Sequence, residues 1–222
     1  MNFIRNILDA VSNNLISGDA YYIILKGIVV TIVITLIAWI VAGGLGILIS
    51  YFMAYDKKIV SGIFRAISFL LRSTPVLLLL LLLKYVVLKQ SHMNLMILAG
   101  IGIGLYGAGH LSEVITNKVN ESKRTQDELV IKKLRHVYFT VTAPQMVEDT
   151  IYQWKRLFIQ LFHWTTVVGY ITVNDLTRVM IRIGQRTMYP FFSIAFCILF
   201  HLVTIAIIEM IFCWLEKKIK NH

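Results

Sequence analysis

Between residues 27 and 53 the chain runs for 27 positions without one charged side chain. A helix needs about 20 apolar residues to cross the hydrocarbon core of a bilayer, and only helices and closed barrels satisfy their backbone there. Four further apolar stretches follow at 75–88, 95–115, 157–173 and 191–215, with Lys84, His163, His201 and Glu209 as isolated polar interruptions. Across 222 residues, 57% are hydrophobic and 15% charged, more apolar side chain than a soluble domain of this length can bury. An ordinary soluble enzyme and a disordered chain are both excluded. So are disulfide-rich and collagen-like chains, because there are only 2 Cys and 13 Gly. The expectation is an all-α membrane protein with five transmembrane helices.

Residues 1–20 lack the apolar core of a signal peptide. Ile4, Ile7, Leu8, Val11 and Leu15 recur at helical spacing among Asn and Asp, which predicts an interfacial amphipathic helix over 1–20. The membrane domain then covers 21–218, and 219–222 form a tail. Orientation follows from Lys and Arg. The segments 1–26, 89–94 and 174–190 hold six, whereas 54–74, 116–156 and the C-terminal end with Lys217, Lys218 and Lys220 hold fifteen. The positive-inside rule puts the N-terminus outside and the C-terminus in the cytoplasm, with 116–156 as the largest cytoplasmic loop. The net charge of +10 is thereby an orientation signal and not a nucleic-acid footprint.

Small residues concentrate in two spans, with Ala42, Gly43, Gly44 and Gly46 in one and Gly100, Gly102, Gly104, Gly107 and Gly109 in another. In lipid, small side chains let helix backbones approach closely, so packing is the expected role. The Gly100–Gly104 run follows no strand, which excludes a phosphate loop. Arg72, Thr74 and Pro75 open the second span. Thr74 is expected to cap it and Pro75 to take its first helical position, with Arg72 at the headgroups. Lys84 and Glu209 lie near span ends, where long side chains snorkel. Glu113 is placed equally well at an interface or on a polar path. Cys197 and Cys213 are 16 positions apart on one helix, about 24 Å of rise, so they form no disulfide. No metal-site spacing and no nucleophile–base arrangement is present, and no catalytic residue is expected. Ile131, Leu134 and Tyr138 recur at helical spacing in the charged 116–156 loop, giving a short amphipathic helix that rests on headgroups or docks in a partner.

Several segments together resemble the permease subunit of polar amino-acid ATP-binding-cassette (ABC) importers, the histidine/glutamine/arginine permease family. Leu25-Lys26-Gly27 with Thr31 is similar to the start of that family's first core helix. Arg72-Ser73-Thr74-Pro75 resembles its Arg-Gly-Thr-Pro signature, and Ala108-Gly109-His110-Leu111-Ser112-Glu113 its Gly-Ala-Tyr-Leu-Ala-Glu segment. Ala143-Pro144-Gln145 resembles Leu-Pro-Gln, Thr165-Thr166-Val167 resembles Thr-Ser-Leu, and Val173-Asn174-Asp175-Leu176-Thr177 resembles Val-x-Asp-Leu-Thr. The order holds across about 21–218.

The resemblance implies the type I ABC importer permease fold in a bacterial inner membrane. It implies a second permease subunit, two cytoplasmic ATPase subunits that bind ATP-Mg, and an external substrate-binding protein. This chain would itself bind no cofactor and hydrolyse nothing. ATPase coupling would fall to Asp127, Glu128, Leu129, Pro144 and Gln145. Arg72, Thr74, Pro75, Asp175, Leu176 and Thr177 would carry the family signature. Glu113, Thr165 and Thr166 would stand near the substrate path, since polar groups within spans tend to line one. The chain departs from the family where coupling is expected: Glu128-Leu129-Val130 stands for Glu-Ala-Ala, and the Gly that should follow is missing. His163 replaces a usual Lys, and Arg156 a usual Asn. Two readings stay open: a working importer subunit, or a non-transporting scaffold or sensor derived from the same fold.

Overall fold

In the computed structural model, residues 17–55, 57–87, 93–125 and 151–220 are described, and no strand occurs among them. Residues 1–16, where most of the expected interfacial helix falls, lie outside the described residues. After a 3-10 turn at Ser17–Asp19 come α1 (Ala20–Met53), α2 (Lys58–Ser73) and α3 (Val76–Leu82), the last continuing as a π turn over Leu83–Val87. Then follow α4 (Leu95–Thr125), α5 (Ile151–Trp164) with a 3-10 continuation Thr165–Ile171, α6 (Leu176–Thr187) and α7 (Pro190–Lys220).

Among the described residues, three helices are long and apolar enough to cross a bilayer unaided: Ala20–Met53, Leu95–Lys118 and Pro190–Lys217. A fourth crossing exists only if α2 and the α3 segment are taken together, and these are bent by 105° at the break between them. The expected span over 157–173 is divided between the 14 residues of α5 and a 7-residue 3-10 helix, so neither piece alone reaches crossing length. Five apolar stretches are therefore present, but the one over 75–88 forms only a short helix after the bend, and the one over 157–173 changes helix type part-way. Hydropathy counts apolar residues and does not register a break.

The bend has a local cause. A residue preceding proline is driven to extended backbone, and Thr74 adopts φ −79, ψ 125. Its hydroxyl donates back to the Leu70 carbonyl at 2.7 Å instead of capping the helix ahead. Pro75, not Thr74, occupies the cap position of α3. The expected Thr74 cap is thus reversed: the side chain closes α2.

The tightest packing is α4 against α1. A Cβ placed on Gly100 would fall 2.5 Å from Ile37 Cγ2, one on Gly104 2.6 Å from Val41 Cβ, and one on Gly107 2.8 Å from Ala42 Cβ. The glycine stripe of α4 is the surface that admits α1, as the packing reading requires. Ile34, Ala38, Ala42, Ile103 and Leu111 form the buried core between them, with Leu80 and Leu161 closing its other sides. By contrast few residues of α7 are buried, leaving Leu199, Leu202, Val203, Ile207 and Met210 facing outward. In a bilayer that face meets lipid or another subunit.

Two charges within the apolar stretches have protein partners. Lys84 Nζ donates to the Ile171 carbonyl at 2.9 Å and to Thr172 Oγ1 at 3.0 Å. It caps the C-terminal end of the 3-10 helix, where unpaired carbonyls carry partial negative charge. Glu209 accepts from Lys155 at 3.3 Å, pairing α7 with α5, and Glu216 stands 3.9 Å from the same ammonium. Replacing Lys84 with methionine keeps the stem and removes the charged donor to the Ile171 carbonyl and the Thr172 hydroxyl. The expected outcome is a loss of about 1–2 kcal/mol, read as a lower thermal midpoint in detergent, with Lys84→Arg closer to the parent.

Candidate functional site

Two constellations bring together residues distant in the sequence. The first joins the start of α6 to α1. Thr31 Oγ1 donates to the Gly27 carbonyl at 2.9 Å and accepts the Leu176 N–H at 3.1 Å, across 145 positions. Gly27 makes room for this approach, because a Cβ there would sit 3.0 Å from Leu176 Cα. Asp175 is fully buried and caps α6 by accepting from Thr177 N at 2.9 Å and Arg178 N at 3.4 Å. Burial pushes its carboxyl above the usual value, and the amide donors of Thr177 and Arg178 pull it partly back. Arg178 in turn donates to the Gly169 carbonyl at 3.0 Å. The signature residues Asp175, Leu176 and Thr177 therefore build a helix junction with Gly27 and Thr31. Thr31→Val removes the acceptor for Leu176 N–H, at an expected cost of about 1–3 kcal/mol by thermal unfolding.

The second constellation is a polar stripe on α4. Tyr106, His110 and Glu113 stand at i, i+4 and i+7 and so share one helix face. Glu113 pairs with Arg72 at the end of α2, and the Arg72 guanidinium also lies 5.8 Å from the Phe69 ring centre. Arg72 is held by protein, where the sequence placed it at the headgroups. Gly109 permits the approach, since a Cβ there would meet Arg72 N at 2.9 Å. Ser68 fastens the same crossing by donating to the Gly109 carbonyl at 3.0 Å and meeting Ser112 Oγ at 2.9 Å. At the other end Gln160 of α5 donates to the Tyr106 hydroxyl at 3.0 Å. The Tyr106 ring contacts His110 and Trp164 edge-on, at centroid distances of 4.6 and 5.7 Å.

The stripe is incompletely satisfied. Arg72 Nε and His110 Nε2 are buried without a hydrogen-bond partner, although Arg72 and Glu113 remain about one-third exposed. Unpaired polar atoms at membrane depth are costly and lie where protein partners or water reach them. Thr165 and Thr166 are not part of the stripe. Their hydroxyls donate to Phe162 and His163 carbonyls at 2.7 and 2.8 Å, and Thr165 is buried. Tyr106 and Gln160 escaped the sequence reading, although the 106/110/113 spacing was visible. Asp127, Glu128, Leu129, Pro144 and Gln145 lie outside the described residues. Among the described residues, no group of three His, Cys, Asp or Glu is placed to hold a metal ion.

No curated protein matches this sequence. Solved structures that share the fold include two ABC transporters. One, a crystal structure of an amino acid ABC transporter with histidines, is 19% identical, has a TM-score of 0.72 and covers 92% of this chain and 98% of its own. The other, a methionine ABC transporter in inward-facing conformations, is 14% identical with a TM-score of 0.72, covering 92% and 99%. At such identities the likeness speaks for the fold. The family of binding-protein-dependent transport system inner membrane components matches residues 46–221. That match takes in α2 to α7 and with them the whole polar stripe. The chain therefore belongs to that family, the membrane-embedded permease subunits of ABC importers.

Proposed function

We propose that the chain is a permease subunit that imports a polar amino acid across the bacterial inner membrane by alternating access. It pairs with a second permease subunit and with two cytoplasmic ATPase subunits that bind ATP-Mg, and it receives substrate from an external binding protein. The N-terminus faces outward and the C-terminus the cytoplasm, in keeping with fifteen Lys and Arg on one side against six on the other. The observation that carries the substrate reading is the α4 stripe. Glu113, His110, Tyr106 and Gln160 offer a carboxylate, an imidazole, a phenol and an amide in a span, beside the Arg72 guanidinium. Such a set suits a zwitterion with a polar side chain better than an apolar solute. Asp127, Glu128, Leu129, Pro144 and Gln145 form the coupling segment, and Thr165 and Thr166 flank the path from α5.

The test is a pull-down in mild detergent followed by uptake in proteoliposomes. An ATPase subunit is expected to co-purify, and Glu128→Arg to lower its recovery about ten-fold or more, since like charges across an interface are costly. Histidine, glutamine or arginine uptake is expected to require ATP, with methionine not transported. The second reading, a scaffold or sensor, is favoured by the missing Gly after Glu128-Leu129-Val130. It predicts no associated ATPase under any nucleotide condition and unchanged uptake on deletion.

A further inference from the structure

A recess lies away from the stripe, between α1 and α6 at the end of the bundle that carries Ser17 and Met188. Its volume is about 260 Å³. Lys26, Arg182 and Arg186 line it together with Ile23, Val179 and Ile183. Among the described residues, three cationic side chains line the recess and no acidic one does, although Arg186 is also engaged by a further contact. Among the described acidic residues at this end, Asp175 is fully buried and occupied with the α6 amides. Asp19 adjoins the recess in sequence but does not line it.

The recess is fixed in place. Arg182 donates to Asn174 Oδ1 at 3.1 Å, which orients its guanidinium. Lys26 Nζ stands 4.8 Å from the Tyr22 ring centre. The Arg186 guanidinium passes beside Gly18, where a Cβ would lie 3.1 Å from Nη1. Tyr21, Tyr22, Tyr189 and Phe191 are exposed around the same end. Aromatic side chains in that position mark the headgroup layer of a membrane. The recess thus combines cations at headgroup depth with a wall of Ile23, Val179 and Ile183.

We propose that this recess binds the phosphate of an anionic phospholipid headgroup, with Lys26 and Arg182 meeting the phosphate, Arg186 adding charge beside them, and the apolar wall meeting the glycerol and first acyl carbons. A guanidinium presents paired donors that match phosphate oxygens, and an ammonium adds a mobile point charge. The apolar wall is the reason to prefer a lipid over a free phosphate. The concave shape favours a headgroup over a carboxylate-bearing protein surface. The proposal is independent of which solute the chain transports.

The test uses the full chain in neutral detergent, with whatever subunits co-purify. Its thermal midpoint is followed against dihexanoyl phosphatidylglycerol, dihexanoyl phosphatidylcholine and inorganic phosphate. Phosphatidylglycerol is expected to raise the midpoint saturably, at concentrations about ten-fold or more below the other two. Lys26→Gln combined with Arg182→Gln is expected to shift half-saturation about 30-fold upward, from roughly one interfacial cation's worth per residue. Lys26→Arg with Arg182→Lys keeps the charge and is expected to respond like the parent. Equal responses to both lipids, or a glutamine pair that responds like the parent, overturn the proposal. A charge-preserving pair that loses the response also overturns it, because the residues would then be structural. Inorganic phosphate matching phosphatidylglycerol overturns the lipid source in favour of a free anion. Unchanged lipid response with impaired docking of the external binding protein overturns it in favour of a protein partner.

Discussion

Gly104→Leu is expected to abolish recovery of monodisperse protein from detergent extracts. The new Cβ would meet Val41 Cβ at 2.6 Å and the Ala38 carbonyl oxygen at 2.9 Å. Val41 is β-branched and stiff, and a backbone carbonyl has nowhere to move, so α4 must leave α1. Overpacking in a well-filled core typically costs about 1–3 kcal/mol, and a leucine against main chain belongs at or above the upper end. Gly104→Ala meets the same atoms and is expected to be destabilising as well. The internal control is Gly44, on α1 itself, where a Cβ has nothing within 4 Å. Gly44→Ala is expected to be neutral or to gain about 0.5–1 kcal/mol from helix propensity. Equal tolerance at both positions by size-exclusion profile and thermal midpoint would refute the packing account.

The second large effect is expected at the Arg72–Glu113 pair. Arg72→Gln leaves a carboxylate without its partner in the α2–α4 crossing. Removing one member of a fully buried pair costs about 3–5 kcal/mol. This pair is about one-third exposed, which brings the expectation down to about 1–2 kcal/mol. In an assembled importer the same change is expected to lower uptake about ten-fold or more, because the stripe loses the guanidinium that pairs with Glu113. The exchanged variant Arg72→Glu with Glu113→Arg separates charge from geometry. Recovery of the thermal midpoint without recovery of uptake would mean that the orientation of the pair matters for transport. Recovery of both would reduce the pair to a fastener between α2 and α4.

What was legible in the sequence is what a periodic or continuous pattern can carry. The uncharged stretch over 27–53 and the apolar run over 191–215 became α1 and α7, and the Gly100–Gly104–Gly107 spacing became the α1–α4 interface. What stayed illegible depends on partners far away along the chain. Lys84 reads as a snorkelling cation until Ile171 and Thr172 are seen beside it, 87 and 88 positions on. Glu209 reads as an interfacial residue until Lys155 arrives from α5. The Thr74 reading failed for a different reason. A hydroxyl beside a helix break can serve either helix, and only the extended backbone before Pro75 decided for Leu70. The α4 stripe was half visible: Glu113 stood out as a charge, while Tyr106 and Gln160 acquire meaning only from their mutual hydrogen bond.

The Thr31–Leu176 contact also sets a timetable for biogenesis. The hydroxyl that receives the α6 amide enters the membrane with the first span, yet its partner lies 145 residues later in the chain. At synthesis rates of roughly 5–20 residues per second, that interval is about 7–30 s. Throughout it the face of α1 around Gly27 is a vacant berth, open to lipid, to a neighbouring nascent chain or to an insertion factor. A truncated product that ends before α6 would present the same unfilled face permanently. Such products are expected to be recognised and degraded faster than truncations made after Leu176.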